Sequence, residues 1–166
     1  MVAGHTGGIA HACPMLTVRQ PKFLSRTLVI HDGDALVGEI RFQFLSPTAE
    51  IEVGGAVYQG TAPYWFKSAY ELRTSGTVVA TAAPAGFGRQ SYEVRTDGAV
   101  FTLGRQKGWS ANGWDLFAGE AQVGSVTHIG GLRLQTTWTF DDTIDIATQV
   151  FVIWIETTLW QNDQGA

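Results

Sequence analysis

Cysteine is nearly absent from this chain. Cys13 stands alone, so no intrachain disulfide can form, and the pattern fits a reducing compartment. Charge is also scarce, at 16% of residues, and the formal net charge of −4 lacks the basic footprint of a nucleic-acid binder. The longest unbroken apolar run in the C-terminal segment is Val150 to Ile155, far short of the roughly 20 residues that span a bilayer. Residues 1–14 lack the charged and apolar regions of a secretory leader, and no N-x-[ST] acceptor is found. The expectation is a cytoplasmic protein without a transmembrane span. No G-x-S-x-G, Walker A, H-E-x-x-H or CxxC motif occurs either.

What is present is glycine, 20 residues of it, among Val, Thr and aromatic residues, which points to many turns between short strands. A length of 166 residues suits one domain with a substantial core. Residues 1–14 (MVAGHTGGIAHACP) show no period and read as a flexible arm, with Met15 an alternative start. His5, His11 and Cys13 fall short of the four ligands of a structural metal site, so no metal is expected there.

The chain is organised around Asp142 to Gln161, read as a helix. As a strand, Asp145, Gln149, Phe151 and Ile153 would share one face, and Ile146, Val152, Trp154 and Glu156 the other. Both faces mix polar with apolar residues, so period two fails. At 3.6 residues per turn, Asp145, Gln149 and Glu156 fall within about 40° of one another. Val150, Phe151, Ile153, Trp154 and Ile155 take much of the remaining circumference, so the helix has to be covered on nearly all sides. Asp142 as N-cap, with Asp145 at the third helical position, supplies the start. Residues 162–166 form a tail.

Between Leu16 and Thr139 the chain reads as strand after strand. Thr27–His31 and Leu36–Phe44 flank an Asp-Gly turn, and Glu50–Val53 and Ala56–Gln59 flank Gly54-Gly55. Units beginning at Tyr70, Tyr92 and Trp114 recur every 22 residues, each an aromatic, an acid and an aliphatic residue followed by a turn and a second strand. Alternation places Tyr70, Leu72, Tyr92, Val94, Trp114 and Leu116 on one buried face, with Glu71, Arg73, Glu93 and Arg95 on the wet one. The predicted fold is mainly β: a closed antiparallel barrel of about twelve strands, a hairpin meander, enclosing the C-terminal helix over residues 15–161. Closure removes exposed strand edges and gives the helix its cover.

Order and pattern from about Thr17 to Gln161 resemble the tubby C-terminal-like superfamily, which includes the LURP-one-related proteins and the phospholipid scramblases. The resemblance is carried by RQPKFLSRTLVIHDGDALVGEI (19–40), the repeated Y-E-[LV]-R turns and DIATQVFVIWIETTLW (145–160). It implies a roughly twelve-stranded barrel around a hydrophobic C-terminal helix. Tubby proteins bind phosphoinositides through basic residues; here the eleven Lys and Arg are scattered, and the nearest cluster is Arg105 with Lys107, joined by Arg89. Scramblases carry a Pro-rich N-terminal segment, acylated cysteines and a membrane-inserting tail, which this sequence does not show, so lipid scrambling is not expected.

The remaining chemistry is thin. Gly86 to Ser91 misses the third glycine of a dinucleotide loop, and Asp32-Gly33-Asp34 reads as a turn rather than a calcium loop. His31 and His128 are expected on the barrel surface. Glu156 is expected near a barrel mouth or meeting Arg or backbone N–H groups, because a buried unpaired carboxylate is costly. The tryptophans are expected in core or rim packing. The expectation is therefore a non-catalytic barrel without a cofactor, binding an anionic lipid head group through Arg89, Arg105 and Lys107, or binding a protein. The alternative is a small-molecule carrier or enzyme with a pocket at a barrel mouth.

Overall fold

The computed structural model describes residues 15–64, 68–86, 90–107, 113–129 and 134–164. Residues 1–14, read as a flexible arm, and Arg89 lie outside them.

Twelve strands follow one another in chain order around a closed antiparallel barrel: β1 (Met15–Arg19), β2 (Thr27–Asp32), β3 (Ala35–Phe42), β4 (Thr48–Val53), β5 (Ala56–Thr61), β6 (Tyr70–Thr74), β7 (Thr77–Pro84), β8 (Ser91–Thr96), β9 (Ala99–Arg105), β10 (Trp114–Ala118), β11 (Ala121–His128) and β12 (Gln135–Phe140). The ring closes between β1 and β12, with Leu16 opposite Trp138 and Val18 opposite Thr136. Among the described residues no sheet edge is left to recruit another chain.

Strand alternation follows the hydrophobic pattern. Tyr70, Leu72, Tyr92, Val94, Trp114 and Leu116 all point inward and are buried. The three repeated aromatics touch in sequence around the wall, Tyr70 to Tyr92 at 5.8 Å and Tyr92 to Trp114 at 6.0 Å, both edge-on, the geometry that aromatic quadrupoles favour. The three units are nevertheless not equivalent. In β6–β7 and β10–β11 the register shifts by one residue after Leu72 and Leu116, as it does after Ile30 in β2–β3. The pairing in β8–β9 runs on without a shift. The extra residues, Val37, Val79 and Val123, are bulges, which bend a strand and sharpen its twist.

Helix α1 (Ile146–Gln164) fills the barrel. Val150, Phe151, Val152, Ile153, Trp154 and Ile155 are buried on every side, as an all-round apolar helix requires. The Trp154 ring packs edge-on to Tyr70 at 5.5 Å and lies over Gly60 of β5. A Cβ at Gly60 would stand 2.9 Å from the indole, so the wall carries glycine where the plug is widest.

The helix bounds differ from the expected 142–161. Its N-cap is Asp145 rather than Asp142: Asp145 Oδ1 accepts the Thr148 backbone N–H at 2.6 Å. The earlier acid, Asp141, closes a separate turn by accepting the Thr143 backbone N–H at 3.0 Å and the Thr143 hydroxyl at 2.8 Å. That turn uses residues 141–144 to redirect the chain from β12 into the bore. At the other end the helix runs through residues 162–164, which were expected to be tail.

Candidate functional site

The two mouths of the barrel are built differently. Strand alternation puts five two-residue turns (33–34, 54–55, 75–76, 97–98, 119–120) at the mouth where α1 enters. Gly54 and Gly55 have φ of 58° and 79°, the left-handed pair of a tight hairpin turn. The opposite mouth, where α1 ends, is where the longer connections join β1 to β2, β3 to β4, β5 to β6, β7 to β8, β9 to β10 and β11 to β12.

Charge separates between these mouths. The turn mouth carries Asp32, Asp34, Asp97, Glu120, Asp141, Asp142 and Asp145. The loop mouth carries Arg19, Lys22, Arg26, Arg105 and Lys107, five of the eight Lys and Arg among the described residues. The other three, Arg41, Arg73 and Arg95, lie on the outer wall and are neutralised there. Arg41 meets Glu50 at 2.6 Å, Glu39 at 3.1 Å and Glu52 at 3.4 Å, Arg73 meets Glu71 at 2.9 Å, and Arg95 meets Glu93 at 2.6 Å. Hydrogen bonding to Glu39 and then Glu50 raises the Arg41 pKa above its ordinary value.

Of the Lys and Arg at the loop mouth, only Arg105 is in an ion pair among the described residues. Its Nη2 donates to Asp163 Oδ2 at 3.1 Å, and its guanidinium lies 5.9 Å from the centre of the Trp114 ring. Lys107, Lys22 and Arg19 have no acidic partner among the described residues, and Arg26 stacks on Phe44 at 3.9 Å. Asp115, an acid near this rim, is occupied by Gln106 Nε2 at 2.9 Å and the Ser125 hydroxyl at 2.8 Å. Of the expected trio, Arg105 and Lys107 therefore share the loop mouth, while Arg89 lies outside the described residues. Lys22 and Arg26 were missed because they lie 83 and 79 positions from Arg105; the Pro-Lys-Phe-Leu-Ser-Arg composition of their loop was the available signal.

Inside the same mouth, His128 is not the surface residue the sequence suggested. It is the last inward position of β11, two residues beyond Val126, and its Nε2 lies 2.6 Å from Oε1 of Glu156. Glu156 is 1% exposed, and the His128 ring stacks on Trp160 at 6.1 Å. The partner of the buried carboxylate is thus a histidine rather than an arginine. Thr136, opposite His128 on β12, is fully buried, and its hydroxyl has no partner among the described residues; the same holds for Glu156 Oε2. Gln149 is also buried, and its amide donates to the Ile144 carbonyl at 2.7 Å.

A cleft of about 420 Å³ opens beside α1 at this mouth, lined by Tyr64, Ser68, Tyr70, Tyr92, Thr158 and Asn162 among others. Among the described residues no histidine or carboxylate lines it. Asp32-Gly33-Asp34 forms the β2–β3 turn, and His31 lies on β2 facing away from the bore. Among the described residues no three His, Cys, Asp or Glu side chains converge as a metal site, and no helix is long and apolar enough to cross a membrane. No protein-family profile, curated protein or solved structure matches this chain.

Proposed function

We propose that this chain is a non-catalytic, cytoplasmic barrel protein of the tubby-like type that binds anionic phospholipid head groups at its loop mouth. The observation that carries the reading is the segregation of free cations. Wall arginines are each matched by glutamates, whereas Arg19, Lys22, Arg26 and Lys107 reach one rim without an acidic partner among the described residues. Each such residue contributes about 1 kcal/mol near an anionic surface. Four acting together are worth far more than the Arg105–Lys107 pair alone. The helix supports the same reading from within, since it occupies the space a carrier barrel would give to cargo.

Co-flotation with phosphatidylcholine vesicles, with and without phosphatidylserine or phosphoinositide, tests this. Retention is expected on the anionic vesicles alone and is expected to weaken as salt rises. Retention unaffected by Lys22→Glu combined with Lys107→Glu would remove the reading.

The second reading, a small-molecule carrier or enzyme, is favoured by the tyrosine-lined cleft. Thermal-shift screening with small amphipathic molecules checks it. Stabilisation that Thr158→Trp abolishes would point to that cleft, and a flat screen would count against it.

A further inference from the structure

Two neighbouring loops of the loop mouth carry the same tripeptide, Phe-Leu-Ser, at Phe23-Leu24-Ser25 and Phe44-Leu45-Ser46. All four apolar side chains face solvent: Phe23 is 59% exposed, Leu24 79%, Phe44 65% and Leu45 90%. Both leucines have positive φ, 64° and 53°, a conformation that bulky side chains rarely adopt. The local hydrogen bonds hold these shapes. Ser25 N–H donates to the Lys22 carbonyl at 3.0 Å and Gln20 Nε2 to the Ser25 carbonyl at 2.8 Å. Thr48 closes the second loop through Gln43 Oε1 at 2.6 Å. Arg26 joins the loops by stacking on Phe44.

We propose that these two loops insert Phe23, Leu24, Phe44 and Leu45 into the interfacial region of an anionic phospholipid bilayer, with the barrel standing on its loop mouth. This rests on the lipid reading above and adds to it an orientation and an apolar anchor. Strained backbone that turns leucine towards water is explained when the leucine has an apolar environment to enter. The shape favours a bilayer over a soluble acidic protein, because the apolar groups are convex tips flanked by cations rather than a groove or a flat patch.

The turn mouth also exposes apolar residues: Met15, Leu36, Val57, Val78, Val100 and Ile146. These lie on separate elements, Leu36 and Ile146 lining one cleft with Glu39 and Glu52, and the acids around them repel an anionic surface. Charge therefore decides which end docks. Behind the inserted tips, the Arg41–Glu39–Glu50–Glu52 cluster on the outer wall sets the depth, since burying it in hydrocarbon is unfavourable.

The experiment uses the full chain in a Cys13→Ser background, with single probes at Leu24→Cys, Leu45→Cys and, as control, Leu36→Cys, each carrying an environment-sensitive dye. Vesicles are phosphatidylcholine with and without phosphatidylserine, with brominated acyl chains as quenchers. The expected result is retention on anionic vesicles, with a blue shift and bromine quenching at positions 24 and 45 and neither at 36. Retention without change at 24 and 45 overturns the insertion while leaving head-group binding intact. No retention overturns both, whatever soluble protein the surface then serves. A shift at 36 reverses the proposed orientation and overturns it as well. Leu24→Asp with Leu45→Asp, unlabelled, is expected to weaken retention by about tenfold or more per leucine with an unchanged melting temperature. Undiminished retention of that variant likewise overturns the insertion.

Discussion

The two ends of this barrel solve opposite problems. At the turn mouth, five two-residue turns return the chain, Asp141 and Asp145 bond to the backbone N–H groups that lead into the helix, and the surface is acidic. At the loop mouth the connections are longer, cations stand without acidic partners among the described residues, leucines are held at positive φ in full view of solvent, and a buried carboxylate meets a histidine. The first end is assembled from local rules and needs nothing beyond the chain. The second holds leucines in strained backbone with exposed apolar tips, which the proposed lipid contact would account for. One wall and one plug serve both ends, so changes at the plug should be felt everywhere and changes at the mouths should remain separable.

The largest effect is therefore expected at the shared helix. Trp154→Ala removes the ring that contacts Tyr70, Phe151 and Gly60 and should cost about 3–5 kcal/mol. Against a domain stability of about 5–15 kcal/mol, that lowers the denaturation midpoint severely. A loss under about 1 kcal/mol would mean the wall stands without its plug.

His128→Ala probes the loop mouth from inside. It leaves Glu156, 1% exposed, without its hydrogen-bond partner, and should cost about 1.5–3 kcal/mol in chemical denaturation. If vesicle retention is unchanged at temperatures where the variant is folded, the inner pair and the outer cations are independent features.

Asp145→Ala probes the turn mouth and should cost about 1 kcal/mol through loss of the cap on Thr148. Hydrogen exchange should rise in the first turn of α1 and stay unchanged at Trp160. Smallest is Asp141→Ala. The Thr143 backbone N–H, then its hydroxyl, hold the Asp141 pKa below its ordinary value. A carboxylate with a depressed folded-state pKa stabilises the protein above its unfolded value and loses that contribution as pH falls through the folded one. The melting temperatures of wild type and variant should thus differ slightly at neutral pH and converge as pH falls through the lowered Asp141 pKa. A difference that persists in acid would assign the effect to packing rather than to the carboxylate.

Much of the wall was readable in advance because its code is local. Gly54-Gly55 marks a turn wherever it falls, and Tyr70 with Leu72 marks one face of a strand whatever lies across from it. The bulges at Val37, Val79 and Val123 were not readable: the units at Tyr70 and Tyr92 are nearly identical through their turns, yet only the first shifts register. The helix was legible as helix because Asp145, Gln149 and Glu156 share a stripe, but its first turn was placed too early. Three aspartates at 141, 142 and 145 offer competing caps, and the exit from β12 selects among them. Of the site, Arg105 and Lys107 stood out by adjacency. Lys22 and Arg26 did not, and the His128–Glu156 pair joins residues 28 apart on different elements.

By itself the sequence determined alternation, turns and an all-round apolar helix, and hence a β wall that has to close on something greasy. Those properties depend on neighbours within a few positions, where backbone geometry fixes the spacing. Only the tertiary structure decided which loops share a mouth and which charges lose their partners. Antiparallel closure sends every second connection to the same end, so residues from 19 to 107 meet at one rim across distances no local pattern encodes.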